Sequence, residues 1–352
     1  MSKVLVIVVT YNGLPWLERC LSSVISSEVE KSLFVWDNAS TDGSADYVAE
    51  HFPQAHIVRS GENALFARPN NEGLRWALDH GYDYAYLLNQ DAWLEPGALE
   101  TLLKAASEHP EYAVLSPLQL APDGSLDKNF EKILRLASLA QNDKIGSEGD
   151  TRSRISGHPR LCKREGPEGD VDSPTCATLG TIRGRGPREV PEARSLGRGR
   201  EATVGESISS AGPVPAAHWL VNLAAVRQIG LFNEELFPLY GQDDDWCNRA
   251  RYHGYKIGII EEAKGVHDRA QRKEPKEKLI ERNYRSASLV RLADINRPLW
   301  ASSLYVCLYT LVKAVKYVSL KPIGLFFSIC RLLPAVKSAR LAGRRGGLGF
   351  VE

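Results

Sequence analysis

The chain has 352 residues, a formal net charge of +1 and six cysteines with no C-x-x-C pair. That length buries a sizeable core as one large domain or two ordinary ones. The charge balance provides no whole-molecule field for nucleic acid, and the isolated cysteines argue against a zinc site or a disulfide framework.

Val4–Val9 is an uninterrupted aliphatic run that ends in Thr10, Tyr11 and Asn12. Such a run reads as a strand buried on both faces, as in a parallel sheet. Pro15 starts a helix whose apolar positions Leu17, Leu21, Val24 and Ile25 recur at helical spacing. A second strand, Leu33–Trp36, ends in Asp37, Asn38 and a Ser-Thr-Asp-Gly turn. A helix at 44–51, a short strand at 56–59 and a helix at 71–80 follow. The strand Tyr84–Leu88 then ends in Asn89, Gln90 and Asp91. Pro96 opens a helix to about Glu108, and Tyr112–Leu118 reads as a further strand. Alternating βα units predict an α/β fold, a Rossmann-like, mostly parallel sheet with helices on both faces.

Residues 146–212 break the pattern, being rich in Gly, Arg, Pro, Ser and Glu. This composition buries too little apolar surface to offset chain entropy, so it reads as a disordered or atypical insertion. Its Arg-Gly pairs are read as solvated rather than as an RNA site, and no nucleic acid partner is expected. Order is expected again near His218, with a helix over Leu220–Ile229, a helix over Asp245–His253, and a strand over Tyr255–Ile260 followed by the segment Ala263 to His267. The organisation is therefore 1–145, the insertion 146–212, 213–297, and a C-terminal helical region 298–352. The strand begins too early for a signal peptide, and no apolar run matches a bilayer span. A cytoplasmic location is expected.

Polar residues at strand ends predict a ligand site, because open α/β sheets bind at the carboxyl ends of their strands. Asp91 suits a hard divalent cation that shares its shell with water and phosphate, or it caps the next helix. Asp37 suits an imide N–H of uracil or thymine, or it closes an Asx-turn. Asp243, Asp244 and Asp245 directly before a helix exceed the needs of capping, and one carboxylate there suits a general base. His267 is either structural or a ligand to metal or phosphate.

Together these segments resemble the family 2 glycosyltransferases of GT-A fold, closest to the rhamnosyltransferase-like branch. Thr10-Tyr11-Asn12 is similar to the opening motif, and Asp37 to Gly43 to the base-binding loop. Glu62 to Ala67 with Asn70 to Gly73 is similar to the segment that closes over the donor. Leu88 to Asp91 stands where the family has Asp-x-Asp, with Asn89 in place of the first Asp. Ile229 to Phe237, Asp243 to Ala250 and Gly254 to Lys256 are similar to the acceptor and catalytic section, with Gln242 in place of the usual Glu.

The resemblance implies an inverting transfer of a sugar, rhamnose, from a dTDP- or UDP-sugar donor to a saccharide or lipid-linked acceptor in bacterial surface polysaccharide synthesis. It implies Asp243 as the base, and Mg2+ or Mn2+ held by Asp91 and His267. It implies Thr10, Tyr11, Asn12, Asp37, Asn38, Asn63, Asn71, Gln90, Trp219, Asp245, Trp246 and Arg249 as substrate-binding residues. The alternative is an inactive GT-A scaffold that binds nucleotide or membrane. A nucleotidyltransferase or a dinucleotide-dependent oxidoreductase would need a glycine-rich loop after the first strand, and neither motif is present.

In the last region Trp300, Leu304, Leu308, Leu311 and Val315 recur at helical spacing among lysines. The pattern suits either a helix in the interface of an anionic bilayer, a peripheral contact at the inner face, or a packed helix pair with a solvated basic side.

Overall fold

The computed structural model describes residues 2–128, 130–134, 208–210, 212–269, 275–317 and 319–348. The first half is the expected βα alternation. Strands β1 (Val4–Thr10), β2 (Lys31–Asp37), β3 (His56–Arg59) and β4 (Tyr84–Asn89) run parallel in the order β3-β2-β1-β4. Helices α1 (Leu14–Ile25), α2 (Ser44–His51) and α3 (Ala67–Asp79) make the crossovers.

Strand β1 is the centre of this half, and its alternation divides the core in two. Leu5 and Ile7 face one hydrophobic cluster with Leu74 and Ala77 of α3. Val4, Val6 and Val8 face the other, with Leu17 and Leu21 of α1 and Leu99 of helix α4 (Ala98–Glu108). All five β1 residues are fully buried, as a parallel strand covered on both faces requires.

The second half makes the sheet mixed. β8 (His218–Asn222) lies antiparallel between β4 and β6 (Tyr112–Leu120). β9 (Lys256–His267) runs parallel to β6, and β5 (Ala92–Leu94) is antiparallel on β9. β7 (Ile208–Ser210) also pairs antiparallel with β9. The sheet thus takes up the chain again inside the segment read as an insertion. Residues 146–207 and 211 of that segment lie outside the described residues.

Three helices begin elsewhere than the sequence suggests, the first being α3, which starts at Ala67 and not at Asn71. Helix α5 spans Leu223–Ile229, not Leu220–Ile229, because His218–Asn222 is drawn into the sheet between β4 and β6. Asn222 then caps the helix, its side-chain oxygen accepting from the Ala224 N–H at 2.9 Å and the Ala225 N–H at 3.4 Å. Helix α6 runs Gln242–Tyr252, so the acidic run forms its first turn instead of preceding it. Carboxylates there complement the helix dipole.

The C-terminal region is a layer of helices: α7 (Lys276–Ala293), α8 (Leu299–Tyr317), α9 (Lys321–Cys330) and α10 (Leu333–Arg345). Tyr284, Leu289, Val306, Ile329 and Val336 share a third cluster with Leu236 and Phe237. Buried Arg340 donates to the carbonyls of Leu292 at 2.9 Å and of Asp294 and Arg297 at 2.5 Å. Removing the α5 cap by Asn222→Ala should cost about 1 kcal/mol of stability, read as a lower urea midpoint with an unchanged slope.

Candidate active site

The three polar strand ends converge as the pattern predicts. In the sheet register Thr10 lies beside Asp37, and Val9 beside Asn89. Against these ends opens a cavity of about 390 Å³, reached also by the loop before α6 and by the end of β9.

Gln90 ties two of the strand ends together. Its Oε1 accepts from Thr10 Oγ1 and the Tyr11 N–H, both at 2.8 Å, and its Nε2 donates to the Tyr11 carbonyl at 3.2 Å. The chain after β1 must pass close to this amide. A Cβ on Gly13 would collide with Gln90 Oε1 and lie 2.5 Å from Thr10 Oγ1. Tyr11 and Gln90 line the cavity, whereas Thr10 is buried behind them. Asn12, at φ 50°, turns its side-chain oxygen to the Thr41 N–H at 2.8 Å and shapes the loop after β2.

Asp37 is buried at the end of β2. Its Oδ2 accepts from the Ser40 N–H at 3.0 Å, while buried Oδ1 has no hydrogen-bond partner among the described residues. The turn reading of Asp37 is thereby seen in Oδ2, while Oδ1 is a buried acceptor that the turn does not use. Asn38 fastens the segment over the cavity, accepting from the Ala64 N–H at 3.1 Å and donating to the Leu65 carbonyl at 2.8 Å. Asn63 supports that segment through the Leu65 N–H at 2.9 Å. Leu65 has φ 65° and Ala39 φ 59°; with Asn12 and Tyr240 (φ 70°) these are the non-glycine residues with positive φ among those described. Each lies in a segment that borders the cavity, where backbone strain often concentrates at functional sites.

Asp91 and His267 face each other on one wall, with Oδ1 and Nε2 3.3 Å apart and both residues buried. Arg269 Nε donates to His267 Nδ1 at 3.1 Å and lies 3.2 Å from Asp127 Oδ2. A ring that accepts at Nδ1 carries its hydrogen on Nε2, which faces Asp91 Oδ1 without completing a hydrogen bond. For His267 to act as a metal ligand, Arg269 must first release the ring. Among the described residues no group of three or more His, Cys, Asp or Glu gathers as a metal site. The pair still fits a hard divalent ion that takes one carboxylate and fills its shell with phosphate and water. Behind this wall His218 is held neutral. Burial pushes its pKa down to about 3, while Nε2 bonds the Val266 carbonyl at 3.0 Å and Nδ1 meets Tyr86 Oη at 2.9 Å.

Asp243 lines the opposite wall from the first turn of α6. Gly241 allows that turn: it has φ +88°, and a Cβ there would sit 2.8 Å from Ser286 Oγ of α7. Burial raises the Asp243 pKa, although its Oδ1 accepts from the Asp244 N–H at 3.0 Å. Asp244 is raised to about 7 by burial and by the neighbouring Asp243 charge. A half-buried carboxylate poised above the ordinary aspartate range suits proton abstraction near neutral pH.

Besides Thr10, Asn12 and Asp37, five further residues expected to bind substrate stand outside the cavity lining, behind the site. Asp245 Oδ2 accepts from Arg249 Nε at 2.9 Å, and Arg249 Nη1 and Nη2 donate to the carbonyls of Ile229 and Leu231 at 3.0 and 2.8 Å. Trp246 donates to the Gly230 carbonyl at 2.8 Å, Trp219 to Val214 at 3.1 Å, and the two rings pack with Phe232. Asn71 accepts from the Phe232 N–H at 2.8 Å and donates to its carbonyl at 2.9 Å. All five are buried, and together they hold the loop 230–240 that brings Leu239 and Tyr240 to the cavity. Gln242, noted in place of the usual Glu, also lines the cavity, and sequence reasoning missed Arg269 and Tyr240, which do so too. Arg269 had a signal, two residues beyond His267 in an extended segment. Tyr240 had none, because a loop places it.

Residues 5–166 match the family described as Glycosyl transferase family 2. The chain is 34% identical over 136 residues to N-acetylglucosaminyl-diphospho-decaprenol L-rhamnosyltransferase of Mycobacterium tuberculosis (strain ATCC 25618 / H37Rv), covering 36% of this chain and 44% of that protein. It is 30% identical over 106 residues to undecaprenyl-phosphate mannosyltransferase of Micrococcus luteus, covering 29% and 44%. The chain thus spans less than half the length of these relatives. In fold it is similar to S. aureus TarS 1–349 (TM-score 0.50, 13% identity, 98% of this chain, 89% of that one). It is similarly close to mannosyltransferase PcManGT from Pyrobaculum calidifontis, solved in complex with GDP-Man and Mn2+ (TM-score 0.50, 16% identity, 97% and 86%).

Arg249→Ala would leave the Asp245 carboxylate buried without its cation. It should cost about 3–5 kcal/mol, read from urea denaturation.

Proposed function

We propose, for a chain that carries a glycosyl transferase family 2 domain, that it transfers a sugar from a nucleoside diphosphate donor to a saccharide or lipid-linked saccharide with inversion at the anomeric carbon. The observation that carries this reading is one cavity lined both by the strand-end carboxylate Asp91 and by Asp243 of α6. Transfer needs these two tasks, donor seating and acceptor deprotonation, side by side.

Asp37 Oδ1 accepts the imide N–H of the base, for which its vacant acceptor position is suited. Tyr11, Asn38 and Asn63 border the nucleotide, and Gln90 keeps the β1 end in register. Asp91, with His267 once Arg269 has let it go, is where Mg2+ or Mn2+ would be held, supplying neutralisation of the departing diphosphate. Arg269, on the same wall, adds a positive charge facing that leaving group. Asp243 takes the proton of the acceptor hydroxyl as its oxygen attacks the anomeric carbon. The bond to the diphosphate oxygen breaks in the same displacement. The rhamnosyltransferase relative supports rhamnose as the sugar, and the two polyprenyl-linked names support a lipid-linked acceptor.

Asp243→Asn should lower kcat by about a hundredfold or more while donor affinity, read by calorimetry, stays near wild type. Equal turnover in that variant would exclude Asp243 as the base. The base works only when ionised, and burial raises its pKa. The acid limb of kcat/KM should therefore lie above the ordinary aspartate value of about 4, with activity falling as pH drops through it.

Asp37→Ala should weaken donor binding about tenfold or more with or without Mg2+ or Mn2+, a loss of at least about 1.4 kcal/mol. Asp91→Ala should remove only the part of the affinity that chelation also removes. Donor binding and turnover that ignore chelation would overturn the metal assignment.

A further inference from the structure

Helix α8 is buried on one side only. Ser302, Val306 and Thr310 pack inward, with Thr310 Oγ1 2.5 Å from Tyr284 Oη of α7. Trp300, Leu304, Leu308, Leu311 and Val315, spaced 4, 4, 3 and 4 along the helix, are 54–78% exposed. Such spacing makes one continuous stripe. Leu320, also 78% exposed, extends it beyond the helix end.

Charge identifies what covers this face. From Leu299 to Arg345 the sequence has eight lysines and arginines and no aspartate or glutamate. The whole chain is only +1, so the remainder is net negative and the positive charge is concentrated in this layer. We propose that the apolar stripe of α8, with the cations of α8–α10 other than buried Arg340, seats the protein on the surface of an anionic lipid bilayer. The aliphatic stripe and Trp300 enter the headgroup boundary, while lysine stems extend to the lipid phosphates. A second copy is a poorer occupant, because two such faces meet with like charge.

The contact is peripheral. Among the described residues no single helix is long and apolar enough to cross a membrane, although α9 and α10 qualify together, bent by 55°. That pair is committed to the protein: Ile329 and Val336 lie in the helical core and Arg340 is bonded to three backbone carbonyls. The inference goes beyond the transfer reaction and does not depend on it, since vesicles without acceptor test it.

The full chain should float with phosphatidylcholine vesicles that contain phosphatidylglycerol, and remain in the soluble fraction with phosphatidylcholine alone or at high salt. Leu308→Glu with Val315→Glu should reduce partitioning about tenfold or more, at an unchanged Tm because both side chains are exposed. Lys316→Gln, which leaves the stripe intact, should reduce it about fivefold. Wild-type protein that stays soluble with both vesicle types, or variants that float as it does, would overturn the proposal. Wild-type self-association lost in the double variant, without flotation, would assign the face to a second copy instead.

Discussion

The burial of β1 on both faces is the constraint on which the rest depends. A strand covered by α3 on one side and by α1 on the other has its register fixed by packing, since a one-residue slip would exchange its two hydrophobic sets. Its parallel neighbours β2 and β4 are thereby held with Asp37 beside Thr10 and Asn89 beside Val9. Every polar group assigned to the nucleotide side of the cavity inherits its position from that register. The Gln90 amide then locks the chain where it leaves the sheet, with Gly13 leaving the space that this requires.

The opposite wall is held differently. It is built on loop 230–240 and the start of α6, so its precision comes from buried polar bonds rather than from a strand register. Arg249 reaches two carbonyls at the loop's base, Asn71 holds Phe232 from α3, and the N–H groups of Phe66 and Ala67 share the Pro238 carbonyl, each at 3.1 Å. The two walls are thus joined by α3, which packs on β1 and also grips the loop. A buried ion pair such as Asp245–Arg249 contributes little net stability, but removing one partner is costly. Such a pair adds directional bonds to a loop whose Leu231, Phe232, Leu236 and Phe237 are already buried in the neighbouring clusters.

The electrostatics of the cavity follow from this construction. Asp91 and Asp243 bring carboxylates to a site read as taking an anionic diphosphate, and Arg269 is the cation lining it among the described residues. Carboxylates and diphosphate repel unless a divalent ion or Arg269 stands between them. Burial, opposed by backbone hydrogen bonds and by the Arg269 charge, keeps the Asp243 pKa raised, as the proposed base role requires.

Much of this was determined by the sequence itself, because it was local. The period and length of Val4–Val9, Leu33–Trp36 and Tyr84–Leu88, and the polar residues that end them, identify strands, sheet class and the edge that carries the site. The spacing of Trp300 to Val315 likewise places these residues on one face of α8, although only the folded layer shows that face to be exposed. Other features were decided only by tertiary contacts. His218–Asn222 became a strand because β4 and β6 had a place between them, which local propensity for a helix could not reveal. Trp219, Asp245, Trp246, Arg249 and Asn71 stand beside substrate-binding motifs in sequence, yet their side chains turn to carbonyls and rings that only the folded loop provides. Tyr240 and Arg269 reach the cavity for the same reason. A residue's periodicity predicts which face it occupies, but what meets it across a cavity depends on segments distant in sequence.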